Sequence, residues 1–142
     1  MEENSLPIRP TFKLYKDRAI SVGTFIGGPL VAGYLIAENF KQLGQIERIK
    51  PTWIISICTT IVIFGVIFLI PNIEKVPNYL IPLIYTGITT FLVQKFQGTA
   101  IETHISSGGQ TFSIWRAVGI GFIGVAILFL ITIAIVLVTE IE

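Results

Sequence analysis

The chain has 142 residues, of which 52% are hydrophobic and 13% charged, with a formal net charge of +1. Soluble domains carry roughly 25% charged residues, so a water-soluble domain is excluded on composition, and the near-zero charge gives no footing for a nucleic-acid partner. Four apolar stretches free of charged side chains fill most of the sequence, at 19–37, 53–70, 76–93 and 117–138. A charge at the bilayer centre costs at least ~2.5–3.5 kcal/mol. This pattern predicts an all-α, multi-pass integral membrane bundle with one membrane domain over 19–142 and a cytoplasmic or interfacial flank over 1–18.

The flank begins with Glu2 and Glu3 and has no cleavable signal pattern. Phe12, Leu14 and Tyr15 then alternate with Lys13, Lys16 and Arg18. Rings at headgroup level and cations near anionic lipid suit a membrane interface. The first apolar segment, 19–37, carries Gly27-Gly28-Pro29 at its centre. Proline removes a backbone donor and clashes with the preceding turn, so the helix is expected to kink there or to re-enter. Glu38 to Lys50 reads as a weak interfacial helix. The second segment starts after Pro51 with Trp53 as anchor and stops at Pro71-Asn72. Its lone cysteine, Cys58, reads as a small buried hydrophobe. The third segment is short and contains Pro82 and Gly87, and its tight link to the second predicts an antiparallel hairpin. The region from Gln94 to Arg116 reads as the longest loop. The fourth segment is the surest: 117–138 spans roughly 33 Å as a helix, with Ser113 as N-cap and Trp115 and Arg116 at the headgroups.

Charge distribution separates the two paths open to the first segment. Four full crossings leave five basic residues on each side, against the usual cytoplasmic excess. A first segment that turns back at Gly27-Gly28-Pro29 leaves nine on one side and only Lys75 on the other. A kinked span remains the simpler path, because so short a stretch gives two limbs little depth. Re-entrant backbone must be buried in protein, which in so small a chain points to an oligomer.

Candidate functional residues fall into three groups. Ala19, Gly23 and Gly27 recur every four residues, as do Ala117 and Gly121. Small residues at that spacing let helices approach closely, so segments one and four are expected to pack together, within one chain or between chains. Gly119-x-Gly121-x-x-Gly124 matches a dinucleotide fingerprint in letters alone, since it lies inside an apolar run rather than after a strand. Ser56, Thr59 and Thr60, and Thr86, Thr89 and Thr90, each fall at i, i+3, i+4 and form one polar stripe per helix. The hairpin would bring Thr59 near Thr89. Their hydroxyls have three uses: bonding across the pair, bonding back to their own helix, or lining a solute path. Glu102 and His104 are the loop candidates for chemistry or headgroup binding. One His and one Glu fall short of a three-ligand zinc site, so no metal, cofactor or catalytic set is expected.

The pattern Thr24-Phe-Ile-Gly-Gly-Pro-Leu-Val-Ala-Gly-Tyr-Leu-Ile-Ala, followed by Asn39-Phe40 and Leu43-Gly44, resembles one recurring in small uncharacterised bacterial multi-pass membrane proteins, a domain of unknown function. The resemblance covers about the first third of the chain and implies a bacterial cytoplasmic (inner) membrane. The expected role is a non-enzymatic accessory or structural membrane protein acting through helix packing, with the lipid bilayer and a homo-oligomer or another membrane protein as partners. The alternatives are a small oligomeric channel or permease component lined by the hydroxyl stripes, and a membrane enzyme or headgroup binder using the 94–116 region.

Overall fold

A computed structural model describes residues 8–141; Glu2, Glu3 and the start of the flank lie outside them. The described chain is helical apart from one pair of two-residue strands. In order the elements are β1 (Lys13–Leu14), α1 (Asp17–Gln42), α2 (Ile49–Leu69), α3 (Leu80–Ser106), β2 (Gln110–Thr111) and α4 (Ile114–Ile141), with short 3-10 turns before α2 and between α2 and α3. Three helices are long and apolar enough to cross a membrane: α1, α2 with its leading turn, and α4. α3 is long but mixed, because Gln94, Lys95 and Gln97 interrupt its apolar run.

α1 folds back on itself. Its backbone leaves the helical region at Gly28, at φ 79° and ψ −171°. That conformation is essentially restricted to glycine. Gly28 ends the first limb, 17–27, and Pro29 opens the second, 29–42. Glycine just past a helix end and proline in the first position of the next are the residues those places favour, since proline's fixed φ is helical and its missing N–H would be unpaired there anyway. The contacts confirm the reversal. The backbone N–H of Tyr15 donates to Asn39 Oδ1 at 2.7 Å, and the Leu35 side chain lies against Gly23. In a straight helix Tyr15 and Asn39 would stand roughly 36 Å apart. The limbs reach only about 16 and 21 Å at 1.5 Å per residue. Length and composition alone would let α1 cross; the fold returns it to the end it came from.

The hairpin is the hub. α2, α3 and α4 each pack on α1, while α2 and α3 stand apart. Leu14, Tyr15, Ile20 and Leu35 are fully buried, with Val93, Ile101 and Ala117 closing over them. The outer helices bury little and present Ile61, Phe68, Phe122 and Phe129 outward, each more than half exposed. An apolar surface of this extent marks a membrane or protein interface.

The turn 107–113 ties the two chain regions together. β1 and β2 pair in parallel, Lys13 with Gln110 and Leu14 with Thr111. The residues before α1 and those between α3 and α4 therefore lie at the same end of the bundle. Replacing Gly28 with Ala forces a Cβ into the glycine-only region, at about 1–3 kcal/mol. The variant is expected to unfold earlier on heating in detergent than Gly119→Ala, whose added Cβ meets nothing within 4 Å.

Candidate functional site

The candidate site is the α1 hairpin and the groups that hold its tip and its mouth. At the tip, Gly23 and Gly27 lie directly on α4. A Cβ on Gly23 would stand 3.1 Å from the Ala117 carbonyl oxygen, and one on Gly27 would stand 2.7 Å from that of Gly121. Gly121 in turn faces the Gly23 carbonyl and Ile26, and Ala19 is buried one turn above. All five small residues singled out in the sequence thus sit in or beside the contact between the first limb and α4, within a single chain.

Breaking a helix inside an apolar surround exposes backbone polar groups that must find partners. Pro29 removes the donor that would have served the carbonyl of Phe25, four residues earlier. The Tyr85 hydroxyl of α3 donates to that carbonyl at 3.3 Å. On the other side Ser56 of α2 donates to the Pro29 carbonyl at 2.6 Å, and Gly33 leaves the space that the Ser56 side chain occupies. Ser21 and Thr90 share a hydrogen bond of 2.7 Å between the first limb and α3.

Only one hydroxyl of each stripe, Ser56 on α2 and Thr90 on α3, reaches α1. Thr60 and Thr90 also donate to carbonyls of their own helices, those of Ser56 and Thr86. The buried Thr86 hydroxyl has no partner. Thr59 and Thr89 line opposite walls of a cleft between α2 and α3, so the expected hairpin contact is replaced by a gap. The physical reason is the hub: each helix gains more by packing on the small-residue limbs of α1 than on its β-branched neighbour.

The mouth of the hairpin is a polar latch. Asn39, fully buried, accepts from Tyr15 N–H and donates to the Tyr15 carbonyl at 2.9 Å and to Gln97 Oε1 at 3.2 Å. Gln97 Nε2 donates to the Ile36 carbonyl at 3.0 Å. Arg116 Nε donates to the Tyr15 hydroxyl at 2.8 Å and its guanidinium lies over Phe112. Burial pushes the Tyr15 phenol above its ordinary range, with the Arg116 hydrogen bond opposing that shift, so Tyr15 is a neutral acceptor. The sequence pattern offered one hint of the latch: amides, Asn39 and Gln97, at the edges of apolar runs.

Glu102 and His104 lie on α3, which continues to Ser106; the loop expected over 94–116 shrinks to the turn 107–113. Two residues apart on a helix, they face different ways. Glu102 is exposed. His104 is buried, its Nε2 2.7 Å from the Gln110 carbonyl, its ring stacked on Phe12 at 4.8 Å and seated against Gly109. Since a carbonyl only accepts, Nε2 carries the proton. His104 thus fastens the turn to α3. Cys58 is exposed on the outer face of α2, contrary to its expected burial. Among the described residues no group of three or more His, Cys, Asp or Glu could hold a metal ion.

Asn39→Leu keeps the side chain's bulk and leaves the buried Tyr15 N–H and carbonyl unpaired, at about 1–3 kcal/mol for each orphaned group. Thermal unfolding in detergent should show a clear drop in midpoint, and Thr59→Val should show almost none. Comparison with protein-family models, with characterised proteins and with solved structures finds no match to this chain.

Proposed function

We propose that the protein is a non-enzymatic accessory or structural subunit of a bacterial cytoplasmic membrane that works through helix packing. In this reading α2, α3 and α4 cross the bilayer, and α1 enters and returns at Gly27-Gly28-Pro29. The observation that carries it is the use made of the deep polar groups. Ser56, Tyr85 and Thr90 all bond α1, so the hydroxyls hold a scaffold. The exposed apolar sides of α2 and α4 remain for lipid and for a second copy or another membrane protein.

Two features support the path of the chain. The strand pair puts residues 13–14 and 110–111 at one end. α2 and α3 between them make one excursion and one return, so α1 contributes no net crossing. Arg9, Lys13, Lys16, Arg18, Lys41, Arg48, Lys50, Lys95 and Arg116 then belong to one side and Lys75 to the other. That bias makes the first side cytoplasmic. The N-terminal flank and the 107–113 turn would face the cytoplasm, and the end of α4 would face outward.

A small channel component is the second reading. It draws on a cavity of about 500 Å³ below the hairpin tip, bordered by Thr60, Asn78, Tyr85 and Thr132. Flux through liposomes that disappears in a Thr60→Val, Thr132→Val double variant would favour it.

Single cysteines placed at Lys13, Lys41, Lys75 and Lys95 in a Cys58→Ala background test the topology. An impermeant thiol reagent should reach positions 13, 41 and 95 from one face and position 75 from the opposite face. Labelling of position 41 from the same face as position 75 would mean that α1 crosses and would remove the re-entrant reading.

A further inference from the structure

The cleft between α2 and α3 has a volume of about 860 Å³, within the ~300–1,000 Å³ typical of ligand sites. One wall runs from Arg48, just before α2, to Ile70, just after it, the other runs from Leu80 to Gln97 on α3, and the second limb of α1 forms the floor as far down as Pro29. Ile55, Ile84 and Ile88 represent its apolar lining. One mouth is cationic. Arg48 borders the cleft with its guanidinium 5.7 Å from the centre of the Phe40 ring, and Lys95, exposed and outside the lining, stands beside it with its amine 5.8 Å from the centre of the Phe96 ring. Phe40 and Phe96 themselves line the cleft. The far end is lined by Ile70, Ile73 and Val76.

From this arrangement we infer that the cleft binds an anionic two-chain phospholipid, its headgroup between Arg48 and Lys95 and its acyl chains along α2 and α3. The inference rests on the membrane reading above. Long apolar walls with cations at one end match an amphiphile whose negative group sits at the same depth. A second copy fits less well. A two-fold dimer in a bilayer has its axis along the membrane normal, so the same surface meets itself at equal depth. Seating two copies cleft to cleft would then bring four cations together, and like charges facing each other oppose association. An uncharged transmembrane helix would fill the walls but leave the cationic mouth without a counterpart.

The lipid also explains how two helices joined by a short link stay apart. With the cleft filled, Thr59 and Thr89 face acyl chains from opposite walls, and neither helix has to leave its seat on α1.

The test uses the full chain, stripped of lipid in a maltoside detergent. Phosphatidylglycerol or phosphatidylcholine is then added in mixed micelles, and retention is read by native mass spectrometry and by the unfolding midpoint. Phosphatidylglycerol should be retained one to one and raise the midpoint more than phosphatidylcholine. An Arg48→Gln, Lys95→Gln double variant should keep the lipid-free midpoint, because both side chains are exposed, and should lose that preference by at least about ten-fold, since each cation near anionic lipid contributes severalfold. Ile88→Trp, which fills the cleft, should weaken both lipids together. Equal retention of the two lipids, or an undiminished preference in the double variant, overturns the proposal. So does a disulfide between two copies carrying Cys at Ile88, which would place a second copy in the cleft. The topology map stands or falls independently, because none of these outcomes depends on which face labels position 41.

Discussion

A helix interrupted in apolar surroundings has to find new partners for its backbone, and the rest of the bundle is arranged around that need. At Gly28 the ladder of α1 stops. The Phe25 carbonyl, which lost its donor at Pro29, is met by Tyr85 of α3, and Ser56 of α2 adds a bond to the Pro29 carbonyl at the start of the second limb. Each bond asks for a close neighbour on a particular side. The close approach of α4 is made possible by glycines at 23, 27 and 121, where the backbones all but touch. The reversal would be too costly without these neighbours, and the neighbours would have no hub without the reversal.

The resulting order of hydrophobicity is the opposite of a soluble bundle. The least apolar of the three long candidate helices, α1, lies at the centre, and the most apolar, α4, lies outside. In water this would strand dozens of large side chains. In lipid it is reasonable, since the tails are as apolar as leucine and helix association depends on close packing and hydrogen bonds rather than on burial of apolar surface. The three outer helices also cover most of the hairpin from within one chain, so a partner is not required to bury the broken backbone. Phe25, at the tip, stays partly exposed.

Periodicity made the apolar segments legible, and Gly-Gly-Pro marked the break, because those signals are local. The extent of α3 was not legible from hydropathy, which drops at Gln94 while the helix runs on to Ser106. That extension is held by a separate periodicity: Val93, Gln97, Ile101 and His104 recur at i, i+4, i+8 and i+11 and all are buried. A polar residue inside such a row reads as solvent-facing until its partner is known. Gln97 is buried because the Ile36 carbonyl and Asn39 await it, both some sixty residues earlier. The stripes had the same difficulty. Spacing says which hydroxyls share a face, and nothing local says that α1 rather than the adjacent helix will meet that face.

On the choice between a crossing and a returning first segment, two independent signals point the same way. The charge count alone favours return, but it is a tendency of loop composition that many chains ignore. The backbone geometry is independent of it. The pairing of Lys13 with Gln110 and the bonds between Tyr15 and Asn39 involve main-chain and amide groups with no net charge. Nothing in those contacts rewards gathering cations at one end. Yet the end they define is the one that collects Arg9, Lys41, Arg48 and Arg116, and leaves Lys75 alone at the other. A kinked crossing would have to separate Tyr15 from Asn39 by the length of α1, give up the latch with Gln97, and distribute the basic residues evenly. A returning hairpin keeps all three, and its price is one glycine in a conformation that glycine adopts freely.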